Sequence, residues 1–222
     1  MPRFPAALSR FGKDPMRAQQ YRVTNPNKPE DLYQPLYDRV NYAAAGAAQI
    51  SFFSTQLGQS TTLIRAGVAA AVVKTKRDTN LDTSGVVPTK LFQFVGLSIA
   101  YIPLQQAVAA ANTVSISDDI ARIKYGSWID FKIIDKPILQ LPTHVVPEAN
   151  PVTAASTTIN ASTVYATGIQ SASPVPMYKF VIPITLNPFE SFQFTMNFDG
   201  TVTLTQTFDI QVLLHGFMRR PT

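Results

Sequence analysis

Phe192-Gln193-Phe194-Thr195-Met196-Asn197-Phe198 is the stretch that decides the fold. Apolar and polar residues alternate with period two. That places four large apolar side chains on one face of a strand and three polar ones on the other. The same rhythm surrounds it. Phe208, Ile210, Val212 and Leu214 alternate with Asp209 and Gln211; Phe180, Ile182, Ile184 and Leu186 alternate with Lys179 and Thr185. Upstream, Ile129, Phe131 and Ile133 alternate with Asp130 and Lys132. Residues 49–56, 68–74, 91–102 and 137–145 add further strand candidates, and 91–102 is apolar almost throughout, as for a strand covered on both faces.

Turn chemistry separates these runs. Asp199-Gly200 reads as a hairpin signal, since glycine tolerates positive φ. Asp135-Lys136-Pro137 makes a tight reversal and Asn187-Pro188 starts another. Pro183 removes a ladder donor, which argues for an edge or a bulge at that point. One short helix is expected at 117–125, with Ser117 as cap, Asp118 and Asp119 in the first turn, Arg122 and Lys124 in the last and Gly126 as the stop. A second helical turn is read after Pro103, through Ala107 to Ala111. About eight strands with one or two short helices predict an all-β, two-sheet sandwich.

The 222 residues suffice for one sizeable core. The absence of cysteine excludes disulfide scaffolds, thiolate catalysis and Cys-ligated zinc. Charged residues make up 15%, well below the usual figure of about 25%, so much of the surface is expected to face other protein. No apolar run approaches the roughly 18–20 residues of a membrane-spanning helix. The start, Met1-Pro2-Arg3-Phe4-Pro5, lacks the apolar segment of a signal peptide, and the expectation is a protein made in a cytoplasm.

The net charge of +5 is confined to one place. Residues 1–28 carry six cations (Arg3, Arg10, Lys13, Arg17, Arg22 and Lys28) against Asp14 alone, and the remainder is neutral. Prolines 2, 5, 15, 26, 29 and 35 and the lack of any apolar period make this an extended arm. Together with the small-residue connector that follows Tyr42, residues 1–47 read as arm and connector and 48–222 as a single domain. A basic arm suits nucleic acid phosphates or an acidic membrane face; equally, it could strap a neighbouring subunit. Residues 147–176 are mostly Ser, Thr, Ala, Asn and Pro with Glu148 as the only charge, and read as a long exposed loop or a strap ordered by a neighbour.

The catalytic inventory is thin. His144 and His215 lie near strand ends without acidic neighbours, and both read as ordinary edge histidines. Asp118-Asp119 reads as a helix start rather than a paired-carboxylate site. Trp128 reads as a core or strand-end residue rather than a ligand platform, and Arg219-Arg220 as a basic tag past the last strand. Nucleotide loops, nucleophile elbows, zinc-protease and calcium motifs are absent. No catalytic, cofactor or metal residues are assigned.

The ordered pieces, a basic proline-rich arm, about eight strands, a short helix at 117–125 between the early strands and a Ser/Thr-rich loop before the final group, together resemble a viral jelly-roll capsid protein. Two runs are similar to stretches of small capsid proteins of tailless icosahedral bacteriophages: KFVIPITLNPFESFQF from Lys179 to Phe194, and YGSWIDFKIIDK from Tyr125 to Lys136 followed by Leu139-Gln140-Leu141-Pro142. The resemblance covers 48–218 and implies an eight-stranded jelly roll, one per chain. It further implies a non-enzymatic shell subunit that assembles in the host cytoplasm with copies of itself and with other capsid proteins. The arm would then face genome, internal membrane or a neighbour. Two other readings stand beside it: a phage spike or carbohydrate-binding sandwich using 147–176 or the Trp128 region, and a cupin-like enzyme.

Overall fold

A computed structural model describes residues 30–85, 91–104, 110–149, 152–160, 163–170 and 177–220. Strand accounts for 57% and helix for 9%, and the sheets are antiparallel, so the chain is all-β. Thirteen strand segments stand among the described residues, against about eight from periodicity.

Sheet one is built on its last strand. β13 (Phe208–Arg220) pairs on one side with β6 (Leu91–Pro103), which pairs in turn with the edge strand β11 (Tyr178–Leu186). On its other side β13 carries β1 (Glu30–Tyr33) and β2 (Leu36–Tyr42) end to end. The break between them falls at Gln34-Pro35, where proline supplies no N–H, and Gln34 N bridges it by donating to Gly216 O at 3.1 Å. Residues 30–42, read from sequence as arm, are therefore sheet strands, and Leu36 and Tyr42 enter the core.

Sheet two runs β3 (Gln49–Phe52), β12 (Phe192–Phe198), β7 (Ser127–Ile133), β8 (Lys136–Pro142). β7 and β8 are joined by Ile134 and Asp135, both at positive φ (45° and 62°), which suits the primed two-residue turn. The strand expected at 137–145 ends at Pro142 and passes into a single 3-10 turn at Thr143–Val145. Asp199-Gly200 turns the chain but closes no hairpin, because β12 and β13 lie in different sheets.

The alternating apolar residues meet between these two sheets. Phe94 of sheet one packs edge-on against Phe131 of sheet two at 5.2 Å, and Phe131 also touches Phe192 and Phe194. Each such fully buried aromatic contributes about 1.5–3 kcal/mol. β6 holds its face through a register slip near Val95, so that Phe94 and Leu97, three residues apart, are both buried. The slip brings Gly216 hard against β6: a Cβ there would stand 2.4 Å from Gln93 O and 2.6 Å from Phe94 Cα. Pro183 sits where it was expected, in the edge strand β11, inside a register shift between Lys179 and Ile184.

Two hairpins and one helix stand beside the two sheets among the described residues. β4 (Ser60–Arg65) and β5 (Val68–Val73) form one hairpin, β9 (Val152–Asn160) and β10 (Thr163–Gln170) the other. The segment 147–176, read as a loop, is thus a hairpin over most of its length. Helix α1 spans Ala110–Tyr125. It begins seven residues before the expected cap, so Ser117, Asp118 and Asp119 lie in its body rather than at its start. Ala110 and Ala111 open this helix; the rest of the second turn expected after Pro103 lies in 105–109, outside the described residues. Ile116, Ile120 and Ile123 bury its apolar stripe in the core.

Candidate functional site

Arg3, Arg10, Lys13, Arg17, Arg22 and Lys28, the expected anionic-partner residues, lie outside the described residues. The structure gives the point at which their segment joins the body. β1 starts at Glu30, in register with Arg220, and Asp31 is in register with Arg219. The basic segment thus enters at the corner where β13 ends in two further arginines.

The buried titratable groups described below are committed to structure. His215 is buried on β13, not at an edge as the sequence suggested. Its Nε2 lies 2.7 Å from Ser98 Oγ on β6, and its Nδ1 2.8 Å from the Tyr33 hydroxyl on β1. Burial pushes its pKa below the ordinary histidine value, which keeps the ring neutral with both nitrogens satisfied. Serine, histidine and a third hydroxyl in line mimic a nucleophile, a base and its orienting group. Ser98 is 0% exposed, however, and no carboxylate completes the line. The trio instead ties three neighbouring strands together across 117 and 182 residues of sequence, a span at which no local pattern reveals it. His144 is exposed and stacks on Tyr125 at 5.5 Å. Among the described residues no group of three or more His, Asp or Glu is placed to hold a metal ion.

A second polar cluster fastens the β4–β5 hairpin and the loop after it to sheet one. Arg39 and Asp209 form a buried ion pair at 2.6 Å; Asp209 also accepts the Ile64 N–H at 2.8 Å and the Asn41 amide at 2.8 Å. Asp38 pairs with Lys74 at 2.6 Å and accepts the Phe53 N–H at 2.6 Å. Burial raises the Asp38 pKa, against the pull of Lys74 and its hydrogen bonds. Asp78 takes the Arg65 guanidinium at 2.5 Å and both the N–H and the hydroxyl of Thr75. Burial pushes the Asp78 pKa up, but these donors outweigh it and hold the carboxyl below its ordinary value. Periodicity missed β2 because Asp38 and Arg39 stand buried side by side in it.

One cavity of about 390 Å³ opens at the end of sheet two. Phe53, Gly85, Ile134 and Asp135, all at positive φ, shape its rim. Gly85 N donates to Phe53 O at 2.7 Å, and Phe192 N to Gly85 O at 2.9 Å. Non-glycine residues at positive φ cost about 1–3 kcal/mol each and persist only where surroundings impose them. Ser51, Ser54, Ser84, Ser191 and Lys132 supply the polar lining. Lys132 is already paired with Asp130 at 3.2 Å.

The remaining feature is apolar surface at sheet edges. On β5, Val68 and Val73 are 61% and 55% exposed; on β11, Val181 is 100% and Ile182 78% exposed. Trp128 stands at the start of β7, the strand-end place expected for it, and points outward at 42% exposure. Large exposed apolar groups gathered at edges mark contact surfaces. No described helix is long and apolar enough to cross a membrane. No model of a known protein family matches the chain, and no curated protein matches it.

Proposed function

We propose that this chain is the jelly-roll shell subunit of a virion, a structural protein that assembles in the host cytoplasm with copies of itself and with other capsid proteins. The order of the strands is the observation that carries this reading. With β1 and β2 counted as one lane along β13, and the two hairpins set aside as insertions, eight lanes remain. They run first, eighth, third, sixth in sheet one and second, seventh, fourth, fifth in sheet two. That order supports reading the two sheets as two interlocked Greek keys, the jelly roll used by viral capsid, lectin and cupin domains. Fold alone does not choose among those three. The uncharged edge of β5, the exposed Val181 and Ile182 of β11 and a neutral body bearing one basic arm favour subunit packing around an anionic interior. The arm's six cations then serve nucleic acid phosphate, an acidic lipid face or a neighbouring subunit. Sedimentation velocity of the full chain over a range of concentrations tests this: a discrete, fast-sedimenting assembly is expected, and a chain that stays monomeric throughout contradicts it.

A carbohydrate-binding sandwich is the second reading, and the serine-lined cavity is the observation in its favour. Its aromatic neighbours Phe52, Phe53 and Phe192 are buried in the core rather than displayed as stacking platforms, which weakens it. Glycan-array binding lost on Lys132→Ala would restore it.

A further inference from the structure

β5 is an edge strand without the usual protections. Its register with β4 is unbroken from Ser60↔Val73 to Arg65↔Val68, and no described strand pairs with its other side. Natural sheets blunt such an edge with a lysine, a proline or a bulge, because its open N–H and C=O groups template another strand. Here the edge reads Val-Ala-Ala-Ala-Val-Val, with five of its six residues exposed. The two cations that flank it are turned inward: Arg65 binds Asp78 and the buried Lys74 binds Asp38. The nearest exposed cations, Lys76 and Arg77, lie past the end of the strand, so none stands on the edge itself.

The direction of its backbone groups follows from one hydrogen bond. Lys74 N donates to Gln59 O at 2.9 Å, so the backbone of Lys74 faces the β4 side. The two-residue alternation of an antiparallel ladder turns the groups of Val72, Ala70 and Val68 the same way. Those of Val73, Ala71 and Ala69 point to the open side.

We infer that the open edge of β5 pairs antiparallel with β5 of a second copy of this chain, about a two-fold axis at Ala71, to make one four-stranded sheet from two hairpins. Symmetry selects a second copy as the occupant. A two-fold contact sets a strand against itself, so a charge at its centre would meet its own like, and this strand carries none. The outward set Ala69, Ala71, Val73 is centred on Ala71, so Ala71 falls opposite its equivalent and Ala69 opposite Val73. Each of these three pairs exchanges two hydrogen bonds, about six in all. The contact rests on the shell reading for its role, as one joint between subunits.

The chain has no cysteine, so Ala71→Cys places a single thiol on the axis. Facing residues of an antiparallel pair stand about 4.5–5.5 Å apart at Cα, within disulfide range. Full-length Ala71→Cys under mild oxidation is expected to become a covalent dimer. Ala69→Cys alone is expected to stay uncrosslinked, and a mixture of Ala69→Cys and Val73→Cys chains to crosslink to each other. Ala71→Pro removes a donor that points away from β4, so it should abolish the dimer in sedimentation while leaving circular dichroism and melting unchanged. An Ala71→Cys chain that stays monomeric under oxidant while its thiol reacts with a small maleimide overturns the contact. So does a thiol that crosslinks to another segment of the chain. The two readings fail separately. Ala71→Cys dimers with no larger assembly would support this contact and contradict the shell. Shells built from Ala71→Pro chains would contradict the contact and leave the shell standing.

Discussion

Phe131 shows what one residue carries in this core. It joins Phe94 of the facing sheet to Phe192 and Phe194 of its own. Phe131→Ala is expected to cost about 3–5 kcal/mol, a drop on the order of 10 °C in melting temperature by calorimetry. Lys74 tests the buried ion pairs. Lys74→Ala strands the buried Asp38 carboxylate and should cost about 3–5 kcal/mol, whereas Lys74→Met with Asp38→Asn should recover most of that in denaturant titrations. His215 sets a pH dependence. Its folded-state pKa lies below the ordinary value because burial disfavours the charged ring. The unfolded chain therefore takes up the proton first as pH falls. Stability from this residue is complete above about pH 6.5 and is lost as the pH drops through the lowered folded value. Wild-type melting should fall between about pH 7.5 and about pH 5, and His215→Gln should flatten that slope. These buried polar residues are also where the sequence was hardest to read. Asp38 and Arg39 break the apolar alternation of β2, so a core strand passed for part of an arm.

At the scale of elements, legibility followed burial on one face. β7, β12 and β13 are half-buried antiparallel strands, and their period-two pattern marked them. β9 and β10 lack that contrast, since Ser, Thr and Ala fill both sets of alternate positions. The signal that could have found them is weaker: β-branched Val152, Thr153, Thr157, Thr158, Ile159, Thr163 and Val164, on either side of Asn160-Ala161-Ser162. α1 was recognised but started too late, because its first turn carries no cap-and-acid pattern. The consequence falls on Asp118 and Asp119. Asp118 pairs with Arg122 on the surface, both more than half exposed. Asp119 is buried and accepts the Thr205 N–H at 3.0 Å and its hydroxyl, tying the helix to the approach to β13. Thermal unfolding should separate them: about 1–3 kcal/mol lost in Asp119→Ala, and under about 0.5 kcal/mol in Asp118→Ala.

For the whole molecule, the charge pattern was read from sequence alone and supports the proposed function beside the strand order. The body is neutral and the first 28 residues hold the entire net charge of +5, so in the proposed shell copies of the body would meet without net repulsion and the arm would face an anion. If all six arm cations neutralise phosphates, affinity for duplex DNA should fall with a log–log salt slope of about −5. A chain starting at Pro29 should lose that slope with its fold intact by circular dichroism. The proposed partners across the arm and across the open edge would be properties of an assembly, which is why neither the periodicity of one chain nor its core reveals them. Electron microscopy of the purified full-length protein tests the central claim most directly. Closed particles of uniform diameter, with walls one sandwich thick, are expected. Fields of single subunits or small oligomers at every concentration and salt would contradict it.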